Sequence, residues 1–299
     1  MDRFHSMQVF VAVADTEGFA SAARKLYMSP PAVTRTIAAL ENHLGVMLFH
    51  RTTRQVKPTD VGIRFLEDCR RILADLDEAE ESVVGAHRVP RGKLFVTASS
   101  RFGYLHVAPL LIEFLERYPD VSVQTLFVDR VVNLIDEGLD VAVRIGELPD
   151  SSLTAIRVGS VRRVICASPE YLDARGIPQV PEDITSHDIV QFSSLASKAE
   201  WHFKALEGNV TIPFSTRLTV NTADVAIAAA VAGRGLTLVL SYMIAPELVS
   251  GKLKIVLADY ENPSLPVHVV YQEGRKAAAK VRAFVDFAVE GLRALTFIN

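Results

Sequence analysis

The chain has 299 residues, room for one large domain or two ordinary ones, with 49% apolar and 22% charged residues. That is the make-up of a soluble globular protein, and it excludes a disordered or collagen-like chain. The net charge of −3 points to no nucleic acid overall, and the most apolar stretch, 225–232, is far short of the roughly 20 residues of a membrane helix.

Met1-Asp2-Arg3 lacks the basic start and apolar core of a secretory signal. Cys69 and Cys166, the two cysteines, lie far apart and suggest no disulfide framework. A cytoplasmic protein with no membrane association, no cofactor and no metal is expected. The distribution of charge says more than its sum. Between Phe19 and Arg64 stand seven cations (Arg24, Lys25, Arg35, Arg51, Arg54, Lys57, Arg64) against two acids, Glu41 and Asp60, a surplus of five. Such a patch suits a polyanion, although small basic patches are common.

Helical periodicity runs through Met7, Phe10, Val11, Val13 and Ala14 and stops at Gly18. A short second helix presents Ala22, Ala23 and Leu26 on one face. Ser29 suits an N-cap and Pro30 a first helical position, where its missing N–H costs nothing. The third helix repeats Val33, Ile37, Leu40 and Leu44 and ends at Gly45. Two short helices crossing at small alanines read as a helix-turn-helix, or as a plain three-helix packing unit. In the first reading Pro31, Thr34 and Arg35 face outward near the helix start, where side chains enter a major groove. Leu48-Phe49 then begins a strand, and Arg51, Arg54 and Lys57 fall in a short hairpin wing suited to phosphates.

From Thr59 or Asp60 a long helix is predicted to about His87. Phe65, Cys69, Ile72, Leu76, Ala79 and Val83 are spaced 4-3-4-3-4, a heptad seam for a coiled coil or helix pair. The alternative is packing on its own domain. Arg88-Val89-Pro90-Arg91-Gly92 breaks the helix as a hinge.

The ordered run Phe19-Ala20-Ser21-Ala22-Ala23-Arg24-Lys25-Leu26, then Ser29-Pro30-Pro31-Ala32-Val33-Thr34-Arg35-Thr36-Ile37 and Leu40-Glu41, resembles the LysR-type transcriptional regulators. So do Leu44-Gly45, Leu48-Phe49, Arg51, Arg54, Thr59 and Gly62, and the likeness covers essentially the whole chain. Two positions depart from the family pattern: Pro30 stands where Gln or Thr is more frequent, and Pro58 replaces a Leu. The first removes a side-chain donor near the bases.

Beyond the hinge, strands and helices alternate: strand 94–98, helix 105–118 stopped by Pro119, strand 121–127, helix about 131–137 ending at Gly138, and strand 139–145. A second such set spans 164–257, and the chain returns through 267–271 to a C-terminal helix. This order argues for an α/β fold with ligands at the carboxyl ends of strands. The resemblance implies the full architecture: an N-terminal winged helix-turn-helix plus a long dimerisation helix, joined to a two-lobed periplasmic-binding-protein-like effector domain. The expected boundaries are 1–59 for DNA binding, 60–87 for the linker helix, 88–92 for the hinge and 93–299 for the effector domain. Within the last, lobe I comprises about 93–161 and 268–299, and lobe II about 162–267.

The resemblance further implies DNA contacts from Ser29, Pro31, Thr34, Arg35, Arg51, Arg54 and Lys57. It implies effector contacts from Ser99, Ser100, Arg101 and Phe102 at the first turn, Val128 and Asp129, and Arg144 and Gly146. On the second lobe it implies Ser193, Trp201, Asn221 and Thr222. The partners are double-stranded DNA with an interrupted palindrome, a small-molecule effector with a lean towards a carboxylate, RNA polymerase for an activator, and further copies of the chain in a dimer of dimers. Effector binding is expected to change DNA bending or transcription activation. Two rivals remain. A thiol-redox regulator on the same scaffold would use Cys166. An enzyme would need motifs that are missing: no Gly-x-Ser-x-Gly elbow, phosphate loop or His-x-x-His pair occurs. No catalytic residue is therefore assigned.

Overall fold

The computed structural model describes residues 2–51, 56–84, 89–148, 153–196, 198–205, 208–272 and 278–295. The chain divides into two compact units, Met1–Ala86 and His87–Asn299.

In the first unit, α1 (Arg3–Thr16) starts at Asp2, whose carboxylate accepts the His5 N–H, and buries Val9, Phe10 and Val13. Helix α2 (Phe19–Lys25) places Ala22 and Ala23 at the crossing, and both are buried. Helix α3 (Pro30–Leu44) begins at Ser29, whose hydroxyl accepts the Ala32 N–H, and ends at Gly45 in the left-handed conformation with φ 70°. Its buried face includes Val33, Ile37 and Leu40, as the periodicity predicts, whereas Leu44, the fourth position of that repeat, is exposed at the helix end. Strands β1 (Phe49–Arg51) and β2 (Val56–Pro58) form an antiparallel hairpin with Phe49 opposite Pro58.

Glu41 ties this hairpin to α3. Its carboxylate is 5% exposed and accepts the N–H groups of Leu48 at 2.8 Å and Phe49 at 3.2 Å. Helix α4 (Asp60–Val84) then passes so close that a Cβ on Gly62 would lie 2.2 Å from the Leu48 carbonyl oxygen. Phe65 stacks 5.5 Å from Phe10, and Cys69 is fully buried in the same cluster. The first two positions of the predicted heptad seam are thus core of their own unit, because α4 leans on α1. Ile72 and Leu76 are half-buried, and the side chains of Ala79 and Val83 lie outside the described residues.

The second unit opens with β3 (Gly92–Ala98), then α5 (Ser100–Phe102), which runs through a π-helical turn, Gly103–Val107, into α6 (Ala108–Arg117). The helix therefore starts five residues before the predicted position. A Cβ on Gly103 would fall 2.5 Å from the Phe127 ring, so a larger residue there would displace that ring. Strand β4 (Val121–Phe127) runs parallel to β3. The expected helix at 131–137 is instead a series of turns: the Asn133 side-chain oxygen accepts the Ile135 N–H, offering the backbone a local alternative to helix.

Strand β5 (Val141–Ile145) follows, then β6 (Leu153–Val161), β7 (Arg163–Ala167), α7 (Pro169–Arg175) and β8 (Ile189–Phe192). Next come β9 (Glu200–Ala205) and β10 (Gly208–Pro213), an antiparallel hairpin, and β11 (Leu218–Val220). Helix α8 (Ala223–Val231), β12 (Leu236–Leu240), α9 (Ala245–Val249), β13 (Lys254–Val256), β14 (Leu265–Gln272) and α10 (Ala279–Arg293) complete the chain.

These strands make two five-stranded sheets, β4-β3-β5-β14-β6 and β11-β8-β12-β7-β13. Strand β14 pairs antiparallel with β6 from Leu265 to Gln272 and with β5 from Val267 to Tyr271, so the return to the first lobe precedes the expected residue 268. One apolar cluster joins both lobes and includes Val96, Val143, Phe192, Val239, Val267 and Phe284. A second, with Ile165, Trp201, Phe203 and Ile212, lies under the β9–β10 hairpin.

Removing the Glu41 carboxylate leaves two buried N–H groups without an acceptor. Hydrogen bonds to a charged group are worth about 1.5–3 kcal/mol. Glu41→Ala should therefore lower the stability of the N-terminal unit by about 2–4 kcal/mol, and urea denaturation followed by circular dichroism checks it.

Candidate functional site: a helix-turn-helix surface and an interlobe cleft

Ser29, Pro31, Thr34 and Arg35 are all exposed at the start of α3, and Lys57 is exposed on β2. Ser29 holds the helix start, and the Thr34 hydroxyl donates to the Pro30 carbonyl at 3.0 Å, so Thr34 offers its remaining capacity as an acceptor. Arg51 ends β1, and Arg54 lies outside the described residues. Tyr27, which sequence reasoning passed over, stands in the turn before α3 with 99% exposure and φ 53°. An aromatic residue two positions before an N-cap was the available signal. The described residues present Ser29, Thr34 and Arg35 at one helix N-terminus, with Lys57 exposed on the hairpin, an arrangement suited to a groove and its phosphates.

In the second unit a cleft of about 410 Å³ opens where strands of both lobes end. It brings together Ser99, Val128, Asp129, Arg144 and Gly146 from the expected set. It adds Thr97, Arg163, Phe192, Ser194, Leu240 and Met243, which single-sequence reading did not single out.

The remaining expected residues sit elsewhere. The Ser100 N–H donates to Asp129 at 2.9 Å and its hydroxyl to the Phe127 carbonyl, so this helix start is already capped by the protein's own carboxylate. Arg101 reaches across the lobes: its guanidinium donates to the Met243 carbonyl, at 2.8 Å from Nη2, and pairs with Asp224. Phe102 is fully buried, edge-on to His106 and Tyr242 at 4.9 and 5.1 Å. Ser193 donates to the Val220 carbonyl, and Asn221 and Thr222 are exposed in the turn before α8. Trp201 is 2% exposed against Phe214 and lines a different cavity.

The charged residues lining the cleft are Asp129, Arg130, Arg144, Glu147 and Arg163, and two of these arginines are partly withdrawn from water. Arg144 donates one N–H to the Val132 carbonyl, and burial holds its pKa below the usual guanidinium value. Burial lowers that of Arg163 in the same way. Among the described residues no carboxylate lies in ion-pair range of either. Two partly desolvated cations facing one cavity favour an anion supplied from outside. Cys69 and Cys166 are fully buried, and burial pushes both thiols up to about 12, which leaves them poor nucleophiles. Among the described residues no group of His, Cys, Asp and Glu could hold a metal ion, and no helix is long and apolar enough to cross a membrane.

A winged helix-turn-helix together with a two-lobed, cleft-bearing α/β domain defines a transcription regulator that binds DNA and senses a small molecule. Residues 4–63 match the bacterial regulatory helix-turn-helix protein of the lysR family, and residues 87–293 match the LysR substrate binding domain. The chain belongs to the LysR family. It is 32% identical over 287 residues to the transcriptional regulator CrgA of Neisseria meningitidis serogroup B, covering 96% of each chain. It is 33% identical over 288 residues to the transcriptional activator AaeR of Escherichia coli K12, covering 96% of this chain and 93% of that one. Among solved structures, CrgA from Neisseria meningitidis superposes with a TM-score of 0.62 at 31% identity, over 96% of this chain and 98% of that one. The full-length virulence activator AphB of Vibrio cholerae gives 0.63 at 27% identity, over 96% and 99%.

Three half-buried histidines make the second unit acid-sensitive. Burial pushes His106 down to about 4, and lowers His187 and His268 in the same direction. The unfolded chain binds these protons near pH 6.5 while the folded one does not, so stability is full above about pH 6.5 and falls as pH drops towards about 4. Urea midpoints across this range should fall with pH, and less steeply in His106→Phe.

Proposed function

We propose that this regulator responds to a small anionic metabolite, a carboxylate, held in the interlobe cleft between Arg144 and Arg163, with Ser99 and Ser194 as neutral hydrogen-bonding partners. The observation that carries the reading is the pair of half-buried guanidinium groups without a carboxylate partner among the described residues. The cleft size fits the 300–1,000 Å³ usual for such ligands. The ligand shifts the domain between lobe arrangements only by its differential affinity for them. The Arg101 contacts with Met243 and Asp224 are one link between the lobes that such a shift would strain or keep.

On DNA, Arg35 and Thr34 read base edges in the major groove, and Arg51, Arg54 and Lys57 grip phosphates. The operator is an interrupted palindrome, read by paired copies joined through the outer part of α4 and assembled as a dimer of dimers. This is the reading for a cytoplasmic regulator, which as an activator would meet RNA polymerase; the domain is assigned no catalytic residue. The buried thiols support no redox input.

Two measurements test this. Arg35→Ala should cost about 1–3 kcal/mol of operator binding and relax specificity at one position, whereas Lys57→Ala should weaken all sequences and lower the salt slope by about one. Equal loss on operator and random DNA for Arg35→Ala would reverse the orientation of α3. A thermal-shift screen of the full chain against small mono- and dicarboxylates should give a stabilising hit. At a hundred times its Kd such a ligand adds about 2.7 kcal/mol. Arg144→Met should abolish that response, and a hit set restricted to uncharged compounds would overturn the carboxylate reading.

A further inference from the structure

A larger cavity, about 590 Å³, lies outside the cleft, on the face of the second sheet that the β9–β10 hairpin covers. Its floor is apolar and aromatic, built from Ile165, Leu238, Trp201 and Phe203, and Tyr260 stands at its side. Charges around it are largely paired within the protein. Glu261 is held by Arg162 at 2.9 Å, Glu200 lies 3.9 Å from His202, and the Asn262 side chain donates to the His202 carbonyl. Exposed Lys198 and Glu147 also line it without an ion pair to a described residue, and the cation drawn partly out of water is Arg163. It is half-buried, lines this cavity as well as the cleft, and makes no ion pair with any described residue.

The pleat explains why one arginine serves two cavities. Strand β7 begins at Arg163, directly after the chain crosses between the lobes, and alternation carries Arg163 and Ile165 to the hairpin side while Val164 and Cys166 enter the other cluster. Arg163 therefore stands in the wall that both cavities share, together with Glu147, Leu195 and Leu265.

We infer that this cavity is a second small-molecule site, for an amphipathic anion whose planar or aromatic body lies against Trp201 and Phe203 and whose acidic group meets Arg163. A chamber with an apolar, aromatic floor and a few convergent polar groups at its wall is the usual form of such a site. Because the guanidinium is shared, an acid here and an acid in the cleft compete for the same charge, which couples the two sites negatively. The inference does not depend on what occupies the cleft.

Trp201 is the single tryptophan of the chain, so its emission reports this cavity alone. The full-length protein is titrated with 8-anilinonaphthalene-1-sulfonate and, separately, with its uncharged relative N-phenyl-1-naphthylamine. The sulfonate should quench Trp201 saturably, with sensitised probe emission. Arg163→Met should weaken the sulfonate about tenfold, the scale of one charge-assisted hydrogen bond, and leave the amine unchanged. Leu238→Phe fills the floor and should abolish both responses, whereas Arg144→Met, on the cleft side, should alter neither. Absence of saturable quenching, or equal quenching in Leu238→Phe, overturns the site, as does an Arg144→Met effect equal to that of Arg163→Met. Melting midpoints verify folding; should Leu238→Phe not fold, the split between the two probes in Arg163→Met decides.

Discussion

The second unit depends on one topological constraint: its chain crosses between two sheets and must come back. Strand β6 leaves the first sheet at Val161, and β7 enters the second at Arg163, with only Arg162 between them. Strand β14 then returns between β5 and β6. Each sheet thus receives an antiparallel strand beside its parallel ones, and both sheets end at the same crossing. Side chains at strand ends from both lobes converge there without any loop having to be designed for it. Arg144, opposite His268, and Arg163, opposite Leu240, owe their positions to this pairing.

Those positions carry an electrostatic cost. A guanidinium drawn partly out of water loses hydration, and here it gains no carboxylate in return among the described residues. A domain selected for stability alone would have placed an acid beside each. The contrast with Arg130 is direct: exposed on the same rim, it is held by Glu137 through two hydrogen bonds at 2.7 and 2.6 Å. Arg130 is thus paired within the protein, whereas Arg144 and Arg163 meet no carboxylate among the described residues.

The first unit follows a different logic, in which one buried carboxylate sets the geometry. Glu41 satisfies two N–H groups where the hairpin leaves α3, and Gly62 lets α4 approach the same point. The strands of the hairpin and the outward face of α3 are thereby held in a fixed relation, which recognition of a rigid duplex needs. Neither residue touches the presumed groove surface. Both decide where that surface stands.

Local features of this protein were legible in the residues themselves. The caps at Ser29 and Gly45, the buried face of α3 and the alternation of strands and helices follow from periods of 3.6 and 2 and from the chemistry of single positions, which neighbours in sequence suffice to express. Expectation and structure part where distant contacts compete. Cys69, spaced as a dimer-seam residue, is core because α1 lies against it; Phe102 is buried under Tyr242; Trp201 faces a second cavity because β9 pairs with β10. The turn at Asn133 replaced a helix through one side-chain hydrogen bond. Arg163 carries no motif, and only the crossing from β6 to β7 brings it to the wall between the two cavities. Hydrophobic period and capping are properties of a segment, and the sequence determines them alone; which side chains meet across a cleft depends on strand order and pairing, which only the tertiary structure decides.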